Sequence, residues 1–153
     1  MNRRQRAVLI ESVLVLAATV AAVVGMTNLK DYINRSEAMR AMTQLGQRVL
    51  EYRRQHGSLP PELFINSIKG DLEGAVRMGN VRYRALHIGP GAPADTILAY
   101  SLKKHSFSFL QDGYVVLRLD GKVEWLPTSQ FATLFATQRV PMEAEPRGEY
   151  SHK

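Results

Sequence analysis

The chain contains no cysteine. That excludes disulfides, thiolate metal sites and a cysteine nucleophile, and it leaves the compartment open, because an exported protein need not use disulfides. A glycine-rich phosphate loop is also missing, and no nucleophile stands with a base in a convincing pair. The four histidines, His56, His87, His105 and His152, do not lie at metal-ligand spacing from one another. Carboxylates are too sparse around the two Asp-Gly pairs, Asp112-Gly113 and Asp120-Gly121, to build a calcium loop, so both read as turns. No enzyme activity, cofactor or metal is therefore expected.

Apolar residues are scarce in most of the chain because so many are spent at its start. The 153 residues suit one modest domain plus an anchor. Charge is unevenly placed as well. Residues 1–6 carry a net +3 from Arg3, Arg4 and Arg6, residues 7–26 carry −1 from Glu11, residues 27–56 carry +3, and residues 57–153 only +1. A nucleic-acid binder concentrates positive charge on its folded domain. Here the excess sits on the N-terminal arm and the helix that follows, which favours a membrane surface and argues against a nucleic-acid partner.

Residues 7–26, AVLIESVLVLAATVAAVVGM, form one long apolar run with no proline and a single late glycine, Gly25. Twenty helical residues span about 30 Å, the thickness of a bilayer's hydrocarbon core. A protein of this size can hardly enclose a helix that is apolar on every side. A cleaved signal peptide fits the basic start but not the internal Glu11, and its best site, with Val20 and Ala22 as the small positions, is weak. A retained transmembrane helix is the expected reading. Arg3, Arg4 and Arg6 before the span balance Lys30, Arg35 and Arg40 after it, so the positive-inside count is a near tie. The shortness of the arm places the N-terminus in the cytoplasm and the larger domain outside. Glu11 has two readings. A carboxylate costs about 2.5–3.5 kcal/mol at the centre of a membrane helix and less near its end. Glu11 is either a tolerated interfacial residue or a charge that seeks a cation on a neighbouring chain.

The helix is expected to continue through residues 27–56 with an apolar stripe of Leu29, Ile33, Met39, Met42, Leu45, Val49 and Tyr52, whose steps are mostly three or four with one of six across Ser36. His56-Gly57 supplies a C-cap and Pro60-Pro61 block continuation. Residues 57–138 then read as an α+β domain. Short helices fit around Pro61–Ile68 or Leu72–Met78, strands fit Val81–Leu86 and Thr96–Leu102, and a hairpin fits Tyr114–Leu126 around Asp120-Gly121. A two-residue loop there sets Leu119 against Lys122, Arg118 against Val123 and Val116 against Trp125. It puts Trp125, Val116 and Val123 on one face and Leu117, Leu119 and Leu126 on the other. Apolar residues on both faces predict cover on both sides, one of them the long helix. Residues 128–138 read as a short helix with Thr128 as N-cap, and the tail from residue 139 as disordered.

Four stretches carry a family likeness. RRQRAVLIESVLVLAATVAAVVG at the start, EYRRQHGSLPPEL (Glu51–Leu63), PADTILAYSLKKH (Pro93–His105) and VVLRLDGKVEWLPTSQF (Val115–Phe131) together resemble bacterial type IV pilin-like proteins and the pseudopilins of type II secretion. The C-terminal pair is similar to a large bacterial group with a histidine ahead of a strand–Asp-Gly–strand hairpin, marked here by His105, Asp120, Gly121 and Trp125. The resemblance implies a long N-terminal helix packed on a small antiparallel sheet of about four strands. It also implies a structural or assembly role at the inner membrane, and other pilin-like subunits or secretion-system inner-membrane proteins as partners. In that family a glutamate stands fifth in the mature chain and pairs with a neighbour's amine. Glu11 takes that place if Ala7 is first. One departure stands out: Arg6-Ala7 occupies the position where the family's peptidase site has glycine followed by phenylalanine or methionine.

Overall fold

The computed structural model describes residues 2–105 and 109–139. One helix, α1 (Arg3–His56), makes up more than a third of the chain. It opens on Asn2, whose side chain accepts the Arg3 amide while Gln5 reaches back to the Asn2 amide, a reciprocal cap. It closes on Gly57, which adopts φ 71° and returns its N–H to the Arg53 carbonyl at 2.8 Å. The expected glycine stop at its C-terminus is thus used. Fifty-four residues make a rod of about 80 Å. Its first part is exposed on all sides and is long and apolar enough to cross a membrane. Only the second part carries the domain.

Two short helices, α2 (Glu62–Lys69) and α3 (Ala75–Met78), lead from α1 to a four-stranded antiparallel sheet. Its strands are β1 (Val81–Tyr83), β2 (Ile97–Lys103), β3 (Gly113–Arg118) and β4 (Val123–Pro127), paired in sequence order. A last helix, α4 (Thr128–Gln138), follows β4 directly. The fold is α+β, as the alternation of patterns predicts.

The two sheet faces bury two separate cores. Against α1 lie Leu98, Ala99, Val115 and Leu117, meeting Ala38, Ala41, Met42, Leu45 and Val49. Under α4 lie Ile97, Tyr100, Tyr114 and Val116, meeting Phe131 and Phe135. The rings of Tyr114 and Phe131 stack at 3.8 Å. A register shift between Ile97 and Ala99 lets β2 point Leu98 and Ala99 to the same side.

The hairpin corrects the expected register. Leu117 pairs with Val123, Val116 with Glu124 and Val115 with Trp125. Gly121 takes φ 88°, its N–H donates to the Arg118 carbonyl at 2.9 Å, and Arg118 N–H donates to Lys122 O at 2.9 Å. The loop is therefore three residues, Leu119-Asp120-Gly121, with the glycine at the left-handed position, and not a two-residue turn. A slip of one residue exchanges the faces. Trp125 and Val123 sit with Val115 and Leu117 on the α1 side, while Val116 and Leu126 sit on the α4 side.

Two smaller expectations also change. β1 ends at Tyr83 because Arg84 turns into the interior, and residues Ala85–His87 form a 3-10 turn. Thr128 is the first helical residue and not the cap. Pro127 takes the cap position with an extended ψ of 150°, and the Thr128 hydroxyl donates to the Asp112 carbonyl at 3.1 Å. Apart from Arg139, the expected disordered tail, His152 included, falls on residues 140–153, which lie outside the described residues.

Candidate functional site

The apolar stripe expected on residues 29–52 is two stripes. Met42, Leu45 and Val49 are buried under the sheet, but Leu29 is 59% exposed and Ile33 is 45% exposed. The six-residue step from Ile33 to Met39 turns the helix by about 240°, so the two halves lie on different sides. On the domain's side, the row above Ala38 is half-buried and polar: Thr27, Asn28, Asp31, Asn34 and Arg35. Where α1 leaves its apolar run, it thus shows polar groups to its own domain and apolar groups outward.

These polar groups receive the connection between β2 and β3. Nδ1 of His105 lies 3.6 Å from Oδ2 of Asp31, with the two side chains 3% and 14% exposed. The His105 amide donates to Asp112 Oδ1 at 2.7 Å, and the Phe109 amide donates to Asn28 Oδ1 at 2.9 Å. The indole of Trp125 completes the junction. Its centroid is 5.7 Å from that of His105, and the Arg35 guanidinium sits 4.3 Å above it. Burial lowers the pKa of Arg35 from its ordinary value, and the nearby Tyr32 opposes that shift. Gly113 makes room for the indole, since a side chain there would lie 2.6 Å from Cζ2 of Trp125 and 2.5 Å from the Leu126 carbonyl.

Comparison with protein-family models, characterised proteins and solved structures returns no match. The arrangement of a long apolar helix on a small antiparallel sheet is compatible with a pilin-like fold.

Of the residues singled out in the sequence, the structure brings His105 and Trp125 together. Asp120 and Gly121 lie elsewhere, in the hairpin loop over Leu50, with Asp120 Oδ1 accepting the Lys122 amide at 2.9 Å. Glu11 is exposed on the bare part of α1. It precedes Leu29 by eighteen residues, about five full turns, and so shares that outward face of the helix. Among the described residues no three histidines or carboxylates gather as a metal site. His56 instead stacks on Tyr52 at 4.0 Å, and Asp112 is engaged by His105.

Sequence reasoning missed Asn28, Asp31 and Arg35. Their spacing of three and four was visible, but they are polar, and an apolar stripe was the signal followed. It also missed Arg84, which is 2% exposed. Its guanidinium donates to the carbonyls of Ile97 and Gln138, both at 2.8 Å, and lies 4.7 Å over the Phe135 ring. The alternation in VRYRAL made it look like a surface charge.

Proposed function

We propose that this chain is a pilin-like, membrane-anchored structural or assembly protein with no chemistry of its own. In this reading residues 7–26 lie in a bacterial inner membrane, residues 1–6 in the cytoplasm and the sheet domain in the periplasm. One observation carries the reading: a single unbroken helix is bare and apolar over its first half and roofs a sheet with its second half. A helix built only to anchor could end where the domain begins. This one keeps its register through the junction, so the domain and the span move as one lever. The outward face holding Glu11, Leu29 and Ile33 stays uncovered by the domain, which suits packing against another helix of the same kind. A carboxylate buried there would need a partner cation, and a neighbouring subunit or a secretion-system inner-membrane protein would bring it.

The cysteine-free chain makes the test direct. Single cysteines placed along residues 7–50 should crosslink to another membrane chain at outward positions such as Leu29, and not at Ala38 or Met42. Recovery of the native protein as a soluble species without residues 1–22 would refute the proposal.

A second reading is favoured by the start of α1. The helix caps at Asn2 and runs unbroken through Arg6-Ala7, where the sequence also departs from a peptidase site. A stand-alone anchored interaction module that keeps its leader would have this form. Mass measurement of the intact N-terminus separates the two: a chain beginning at Ala7 supports the assembling subunit, and a chain beginning with its basic arm supports the module.

A further inference from the structure

The connection between β2 and β3 places Phe109 at the level where α1 leaves its apolar run, and we infer that Phe109 inserts into the bilayer interface as a second membrane contact of the domain. The inference rests on the reading of residues 7–26 as a membrane span, and it holds for either orientation, because the domain follows the span in both.

The Phe109 amide is fixed to Asn28 Oδ1 at 2.9 Å. Asn28 lies two residues beyond Met26, about 3 Å farther along the helix axis. Beyond the hydrocarbon core, each interfacial layer of a bilayer is about 5–7 Å deep. The Phe109 backbone therefore sits inside that layer whenever the span occupies the core. Among the described residues the phenyl ring is left largely uncovered: it is 86% exposed, while the Phe109 amide is held to α1 by Asn28 and His105 approaches Asp31. An aromatic ring in water at this level meets acyl chains at little cost in backbone movement, and apolar area removed from water favours its insertion.

The charge at this level agrees with the placement. Lys30, two residues after Asn28 and on the other side of α1, is exposed where a phosphate layer would meet it. The neighbouring carboxylates do not oppose it, since Asp31 faces His105 and Asp112 holds the His105 amide. A loop meant for a protein partner would be expected to present groups for that partner away from the bilayer. This one is tied by Asn28 to the first turn beyond the span. With two contacts, at the span and at Phe109, the single unit of α1 and its domain would hold one tilt against the membrane.

The experiment uses the full chain in phospholipid vesicles, with the photoreactive residue p-benzoyl-phenylalanine in place of Phe109, Leu16 or Leu86 in three separate variants. Leu16 lies within the span, and Leu86 is an exposed apolar residue on the 3-10 turn. After irradiation, mass spectrometry should find lipid adducts at positions 16 and 109 and none at 86. Lipid adducts at 16 with none at 109 would overturn the inference while leaving the anchor intact. Protein–protein adducts at 109 in place of lipid would overturn it in favour of a second copy. Loss of lipid adducts at 16 would overturn the membrane reading itself, and this inference with it.

Discussion

Asp31 of the long helix and His105 of the β2–β3 connection approach to 3.6 Å, and each leaves one buried polar atom, Oδ2 of Asp31 and Nε2 of His105, without a hydrogen-bond partner among the described residues. The pair therefore binds the loop to the helix by the close approach of two buried polar side chains. Removing either partner leaves the other desolvated, at a cost of about 1–3 kcal/mol. His105→Ala and Asp31→Ala should each lower the urea midpoint of the full chain in detergent. The double variant should cost less than the sum, with a coupling of about 0.5–3 kcal/mol as found for residues in contact. Strict additivity would show that the approach is incidental.

Glycine positions at the helix–sheet contact give a second prediction. A methyl group on Gly46 would meet Leu117 Cδ1 at 2.7 Å and the Gly121 carbonyl at 3.4 Å. Two effects compete. Alanine in a helix interior is favoured over glycine by roughly 0.5–1 kcal/mol, while overpacking a filled core costs about 1–3 kcal/mol. Leu117 is fully buried in the core that faces α1, so its methyl yields only by disturbing close-packed neighbours. Gly46→Ala should therefore destabilise on balance, read as a lower melting temperature. Gly25→Ala, which meets nothing within 4 Å, should not.

The larger elements were legible because their signals are periodic and long. The 54-residue helix, its Gly57 stop, the hairpin and the last helix all follow from spacing and turn residues. The Asp120-Gly121 pair located the hairpin turn but not its length. The same dipeptide serves a two-residue loop and the second half of a three-residue one, and only the packing of Leu117 and Val115 against α1 chooses between them. The junction was half legible. His105 and Trp125 stood out, but their partners Asp31 and Arg35 lie some seventy to ninety residues away in sequence, and polar residues facing a domain leave no hydrophobic pattern to follow.

Arg84 supplies a third prediction. Its planar fork reaches two carbonyls on different elements, Ile97 in β2 and Gln138 at the end of α4. Gln138 returns the link, its Oε1 accepting the Ile97 amide at 2.8 Å. A lysine carries the charge but cannot fork. Arg84→Lys should release the last turn of α4, with faster amide exchange over residues 134–138 and a stability loss of about 1–3 kcal/mol. Unchanged exchange in that turn would show that α4 is held by Phe131 and Phe135 alone.

Tyrosine burial sets the alkaline limit of the fold. Tyr83 donates its hydroxyl to the Pro60 carbonyl at 3.0 Å, joining β1 to the bend after α1. Desolvation raises its pKa well above the ordinary phenol value, with a smaller push from Tyr52, and desolvation raises Tyr114 in the same direction. The sign follows from proton counting. A group whose folded pKa is raised stabilises fully below its unfolded pKa of 10.0, and that stabilisation is lost as pH climbs from there toward the folded value. Lys103 works the other way: burial, with Arg77 nearby, lowers its pKa, so its contribution improves as pH rises toward 10.5. With two tyrosines against one lysine, stability should fall above about pH 10. Tyr83→Phe should cost about 0.5–1.5 kcal/mol at neutral pH through the lost hydrogen bond. The same variant should flatten the alkaline decline in denaturation midpoints measured from pH 8 to 11. A decline as steep as that of the unsubstituted chain would assign it to Tyr114 or to another group.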